Sequence, residues 1–224
     1  MSEKPQPEPK PRLRWCQYSL RSLFLVTLAL ALWLGWICYK ANQRRRAVEA
    51  IEELGGSVLY DYQVDTDGFP IPNATPPGPA WFRNLVGVDF LADVINVSLW
   101  DPEVYIQPVT DVDLIHLKRL DEVKFVCLYE TRITDAGLEH LMGLTRLEWL
   151  NLSETQISDA GLVYLRGMTE LDDLNLRGTQ VTDAGLVHLK ELADLGELDL
   201  KKTQVTNKGV KQLQQALPDC IIYH

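Results

Sequence analysis

The chain has 224 residues, with 31 acidic against 22 basic side chains and a formal net charge of −9. Residues 1–46 hold nine Lys/Arg and two acids, whereas the remainder holds 13 and 29, so the strongly acidic repeat domain is a poor candidate for binding nucleic acid or anionic lipid. The four cysteines, Cys16, Cys38, Cys127 and Cys220, are too scattered for a disulfide framework, so stability must come from packing.

In chain order, residues 1–18 form a basic tail and 19–40 a membrane anchor. Ser22 to Tyr39 is an uncharged apolar run of 18 residues. As a helix it spans about 27 Å, close to the hydrocarbon core of a bilayer. It holds Trp33 and Trp36 and ends in Cys38-Tyr39-Lys40 without a small-residue cleavage site, which argues for retention over a cleaved signal peptide. Tyr18, Trp36 and Tyr39 fit interfacial belts. Basic residues flank the run evenly: Lys10, Arg12, Arg14 and Arg21 before, Lys40, Arg44, Arg45 and Arg46 after. A short tail before a first span usually stays inside, which places the repeat domain on the extracytoplasmic side of a single-pass cell-membrane protein. The basic flanks, including Arg44-Arg45-Arg46, suit lipid headgroups.

Residues 41–96 read as a juxtamembrane helix and N-terminal capping region. Ala47 to Leu54 has helical apolar spacing and stops at Gly55-Gly56. Ser57 to Val64 alternates like a strand, and Phe69 to Ala80, with five prolines, reads as an irregular loop. Trp81 to Leu91 is apolar enough to cover an open end. Asp65-Thr66-Asp67-Gly68 falls short of a calcium loop, because Gln63 and Ala74 stand where two carboxylates are needed.

Residues 97–224 repeat every 24 positions. Thr134-Asp135-Ala136-Gly137-Leu138 returns as Ser158-Asp159-Ala160-Gly161-Leu162, as Thr182-Asp183-Ala184-Gly185-Leu186, and as Thr206-Asn207-Lys208-Gly209-Val210. Thr110-Asp111-Val112-Asp113-Leu114 is a degraded copy. A fixed period of this length specifies a solenoid. Leu150-Asn151-Leu152 alternates as a short strand, and Leu162 with Leu165 has helical spacing. Thr or Ser at 134, 158, 182 and 206 stands as a helix N-cap, Asp at 135, 159 and 183 follows in the first turn, and Gly137, Gly161, Gly185 and Gly209 leave no room for a side chain. Leu217 to Ile222 reads as a terminal cap. The strand upstream, Val97-Ser98-Leu99, lies too far from Thr110, which implies an insertion of about five residues between Trp100 and Pro108.

The boxes are identified as leucine-rich repeats and resemble the ribonuclease-inhibitor-like and F-box-associated classes. The resemblance implies an α/β solenoid with short parallel strands on the concave side, helices on the convex side, and an N-terminal transmembrane helix. With Ser19-Leu20-Arg21-Ser22-Leu23, Leu34-Gly35-Trp36, Ala47-Val48 and Leu54-Gly55-Gly56 added, the whole chain resembles an uncharacterised bacterial family of single-span, membrane-anchored repeat proteins. That likeness implies architecture and anchoring, and no activity.

The sequence shows no nucleophile–base pairing, phosphate loop or zinc spacing, so no catalytic, cofactor or metal residue is assigned and an enzyme is not expected. His116, His140 and His188 fall on equivalent positions with Tyr164 between them, without ligands to complete a metal set. Asn73, Asn96 and Asn151 head glycosylation triplets that chance explains. The informative surface is the concave face. Its outward rows are Phe125, Trp149, Asp173 and Glu197; Cys127, Asn151, Asn175 and Asp199; and Tyr129, Ser153, Arg177 and Lys201. Aromatics gather early and charges late. Trp, Tyr and Arg dominate binding interfaces, so the expected function is protein–protein interaction by a membrane-anchored module. The alternative is a structural envelope component acting by self-association or wall contact. A ubiquitin-ligase-type substrate adaptor fits less well, because a membrane span stands where an F-box would precede the repeats.

Overall fold

A computed structural model describes residues 20–65, 70–100 and 109–224, with side chains from Ser22 onward. The basic tail, most of the Asp65–Gly68 turn and the bulk of the expected insertion lie outside the described residues. The chain divides into two units, residues 1–38 and 39–224.

The first unit contains the apolar part of helix α1, Leu20–Glu53. This helix is long and apolar enough to cross a membrane, and none of its most apolar stretch is buried. Leu23, Phe24, Leu32, Trp33 and Trp36 are all more than half exposed. A helix apolar on every side is unfavourable in water and requires lipid or a partner around it.

The second unit begins with the last turns of α1. There Ala47, Val48 and Ile51 are buried in the core of the repeats. The helix stops where Gly55 turns left-handed, with φ of 82°, and the Gly56 N–H donates to the Ile51 carbonyl at 2.9 Å. Strand β1, Ser57–Tyr60, then pairs antiparallel with β2, Val94–Ser98. The alternation read over Ser57 to Val64 is thus a strand only to Tyr60, and Asp61–Gln63 is a 3-10 helix. Helix α2, Ala80–Val86, follows the proline-rich loop. The expectation that Trp81 to Leu91 covers the open end is corrected at two of its largest apolar residues: Trp81 and Leu85 are 70% and 74% exposed. The residues that enter the core at this end come from α1, β1 and β2 instead.

From β2 the sheet is parallel and strictly sequential. The strands are β3 (Phe125–Cys127), β4 (Trp149–Asn151), β5 (Asp173–Asn175), β6 (Glu197–Asp199) and β7 (Ile221–Tyr223). Asn96 pairs with Phe125, 29 positions on, whereas Phe125 pairs with Trp149, 24 on. The difference is the inferred five-residue insertion. In β3 to β6 the middle residue is fully buried (Val126, Leu150, Leu174, Leu198) and its neighbours face outward. The C-terminal cap is β7 itself, braced by Gln214, whose Nε2 donates to the carbonyls of Leu217 and Cys220 at 2.9 Å.

The convex segments are helical but tighter than α-helices. Asp113–Arg119, Gly161–Leu165 and Gly185–His188 are 3-10 helices, and only Asp135–Leu138 (α3) and Asn207–Gln214 (α4) are α. A 24-residue period leaves few residues for the return path, so leucines spaced by three, such as Leu162 and Leu165, match the 3-10 period.

Three ladders recur along the array, and the first and third lock one repeat to the next. Asp111, Asp135, Asp159 and Asp183 each accept the backbone N–H and the hydroxyl of Thr134, Ser158, Thr182 and Thr206, at 2.5–2.7 Å. That hydroxyl in turn caps its own helix, as Thr182 does for the Ala184 N–H. The aspartate read as a dipole partner of its own turn therefore also binds the next repeat. It explains the glycines too: a Cβ on Gly137, Gly161, Gly185 or Gly209 would stand 2.1–2.5 Å from that carboxylate. The second ladder is internal: the hydroxyls of Thr131, Thr155, Thr179 and Thr203 donate to the carbonyl three residues back. The third uses left-handed backbone at Glu130, Glu154, Gly178 and Lys202. The N–H groups of Glu130, Glu154 and Gly178 there reach the carbonyls of Ser153, Arg177 and Lys201.

Candidate functional site

The strand face is built from residues flanking each buried middle position. Outward-facing Phe125, Trp149 and Asp173 stand in register across β3, β4 and β5, continued by exposed Glu197 on β6. Phe125 and Trp149 are both half-buried. The Trp149 Nε1–H donates to the Asp173 carboxylate at 3.1 Å. Burial, followed by the charge of Glu197, pushes the Asp173 carboxyl above its ordinary value, against the Trp149 hydrogen bond that lowers it. Row and electrostatics therefore change character between β4 and β5, from aromatic to acidic.

The second row is less available than its sequence suggests. Asn151, Asn175 and Asp199 use their Oδ1 atoms to accept the backbone N–H groups of Ser153, Arg177 and Lys201, at 2.9, 3.0 and 2.8 Å. These are Asx turns that shape the end of each strand. Cys127 heads this row half-buried, with a free thiol. In the third row Ser153 is buried, not outward, and its hydroxyl donates to Asn151 at 2.5 Å. Arg177 is half-buried and has no ion-pair partner among the described residues. Lys201 sits over the Tyr223 ring, 4.7 Å from its centroid.

Trp100 and Tyr129 form the most aromatic corner. Their ring centroids are 5.3 Å apart in an edge-to-face arrangement, and Trp100 is 40% exposed. Trp100 is absent from the three rows expected from the repeat period. Its signal is the insertion: with the register shifted by five, it follows Ser98 and Leu99 as Tyr129 follows Cys127 and Leu128. Ile221 and Tyr223 extend the rows at the other end and are 53% and 39% exposed.

On the convex side, His116 and His140 keep their places in one column, but their Nδ1 atoms are enclosed and without a hydrogen-bond partner. The His188 Nδ1 instead lies 2.7 Å from the Arg166 guanidinium. Among the described residues no three potential ligands come together to hold a metal.

The sequence profile described as Leucine Rich repeat matches residues 145–165, which run from the convex end of one repeat through β4 to the 3-10 helix of the next. These are leucine-rich repeats. No curated protein matches the chain. Among solved structures, an internalin from Listeria monocytogenes is 23% identical over 49% of this chain and 30% of its own, with a TM-score of 0.44. A Leptospira interrogans leucine-rich-repeat protein is 21% identical over 49% of this chain and 27% of its own, with a TM-score of 0.41. A second Listeria internalin is 20% identical over 60% of this chain and 70% of its own, with a TM-score of 0.35. The chain thus spans less than a third of the length of the first two.

Proposed function

We propose that the chain is a single-pass, membrane-anchored leucine-rich-repeat module that binds another protein through the first half of its strand face. The observation that carries this reading is the aromatic cluster at β2 to β4. Phe125 and Trp149 lie on adjoining strands, and Trp100 and Tyr129 two residues beyond the ends of theirs, with part of their surface open and outside the buried core. Large aromatic side chains contribute most where they can be desolvated by a partner. Seven strands at a spacing of about 4.8 Å give a short face, below the roughly 800 Å² per partner of a standard interface. Modest intrinsic affinity, raised by confinement in the membrane, is the consequence. Exposed α1 supports the anchor.

The test is site-specific photocrosslinking of the full chain in membranes. A crosslinker in place of Tyr129 is expected to capture one protein species, and the capture should weaken severalfold with Trp149→Ala. A crosslinker at convex Val163 should capture none. Efficient capture from Val163 with none from Tyr129 would move the interface to the helical side and refute the reading. Capture of the chain's own mass from Tyr129 would favour the self-associating structural role.

A further inference from the structure

A cavity of about 350 Å³ lies against the residues that succeed the apolar run in the chain. Its lining combines Tyr39, Lys40 and Arg44 of α1 with Lys118, Arg119 and Asp121 from the end of the first convex segment. Four cations thus meet one carboxylate in a region of the chain that is otherwise strongly acidic. Two are already engaged. Lys40 Nζ lies 2.5 Å from Asp121, and Arg44 pairs with Asp93 at 2.6 Å while donating to the Asp89 and Ala92 carbonyls. Arg44 is therefore a strut of the cap, which corrects the expectation that it serves as a headgroup contact; Arg45 likewise pairs with Glu49. Lys118 and Arg119 are exposed and have no ion-pair partner among the described residues. A cation at the end of a 3-10 helix is locally favourable. That does not explain why Lys40 and Arg44 are gathered to the same cavity.

We propose that this cavity binds the phosphate of an anionic lipid headgroup, with Lys118 and Arg119 as its free cationic arms and Lys40 completing the rim. The proposal rests on the anchoring reading above, since Tyr39 and Lys40 then leave the bilayer at headgroup level. Asp121 supports it. Burial would raise its carboxyl, but the Lys40 hydrogen bond and the charges of Lys40 and Arg44 hold it below the ordinary value, so the potential those two cations set at this carboxyl is positive. The acidic remainder of the domain does not cancel that potential, because charges beyond about 8 Å are screened at physiological salt.

The test uses the full chain in neutral detergent micelles, with bound lipid counted by native mass spectrometry. Phosphatidylglycerol should be retained in preference to phosphatidylcholine. K118Q/R119Q should weaken retention by about fivefold for each cation removed, while K190Q/K211Q, exposed cations elsewhere, should not. Equal loss in both pairs, or none in the first, would overturn the site. Retention of inorganic phosphate through Lys118 and Arg119, without preference for phosphatidylglycerol, would reassign it to the free anion and overturn the lipid. Carbonate extraction of the full chain from vesicles separates the two readings. Release with lipid preference intact overturns the anchor alone; stable insertion with no effect of K118Q/R119Q overturns the cavity alone.

Discussion

The aspartate ladder makes a prediction in which one substitution changes sign with its background. A Cβ added to Gly209 would stand 2.1 Å from Oδ1, 2.5 Å from Cγ and 3.1 Å from Oδ2 of Asp183, against 3.4 Å or more for ordinary contact. The three nearest atoms all belong to that carboxylate. To admit the methyl group, Asp183 must leave the Thr206 N–H and hydroxyl it holds at 2.7 and 2.6 Å. Gly209→Ala should therefore destabilise the native chain, although position 209 lies inside helix α4, where alanine is the better helix former. In an Asp183→Ala background the obstacle is gone and only the helix preference remains. There the same Gly209→Ala should stabilise by about 0.5–1 kcal/mol, or roughly 1–4 °C for a domain of this size. The assay is thermal unfolding of four full-length proteins by circular dichroism, with amide exchange at Val210 and Leu213 to localise the effect. If Gly209→Ala destabilises equally in both backgrounds, the carboxylate is not what excludes a side chain there.

Leu152→Ala removes a fully buried leucine and should cost about 2–5 kcal/mol in chemical denaturation, spreading to neighbouring repeats. Asn175→Ala breaks the Asx bond to Arg177 and should cost about 1 kcal/mol; equal effects would mean that inward and outward positions are misassigned. Glu130 holds a φ of 57°, so Glu130→Gly should raise stability by up to about 1 kcal/mol, and a loss in the same melt would show that the strain is relieved elsewhere. The acidity dependence has two opposed parts. Asp183 is held below its ordinary value, first by the Thr206 hydroxyl and then by the Thr206 N–H, so its contribution is full above the unfolded carboxyl pKa, about 4, and fades as pH falls below it. Asp173 is raised, so it detracts from stability as pH rises through and above that value; Asp173→Asn, which keeps an acceptor for Trp149, should stabilise at neutral pH and leave melts at pH 3 unchanged. Finally, protease added to intact spheroplasts should digest the repeats and leave a small N-terminal membrane fragment, whereas protection until lysis would reverse the topology.

The repeat box is legible in sequence because each of its residues has one physical task, and the task recurs every 24 positions. Leu150, Leu174 and Leu198 must fill the same place in successive layers, so the period alone counts out the strand register. The partner of Asp135, Asp159 and Asp183 is not legible in the same way. A carboxylate in a first helical turn has a sufficient local explanation, and its bond to Thr or Ser 23 residues later is a contact between layers. Asn151, Asn175 and Asp199 mislead for the converse reason. They occupy outward positions, but a side chain that points outward can still bend back to its own backbone. The N-terminal cap is the least legible. Trp81 to Leu91 is apolar without a period, and the spacing of Ala47, Val48 and Ile51 specifies a helix without indicating that its buried face meets the first repeats.

Because the aspartate and left-handed backbone ladders lie at the turns and on the convex side, the stacking of layers does not rest on what the first outward row carries. Those positions are free to differ between repeats, and they do. Phe125 and Trp149 give way to Asp173 and Glu197 across adjacent, equally regular strands. Asp173 does accept the Trp149 Nε1–H across the strands, but the acidic pair works against itself, since Glu197 helps to raise Asp173. On the reading proposed above, this polarity is what a partner meets. An occupant apolar over β2 to β4 and a hydrogen-bond donor or cation over β5 and β6 would satisfy both halves. It would also return Asp173 toward its ordinary ionisation, which ties binding to the same carboxyl whose pH dependence can be measured in the free chain.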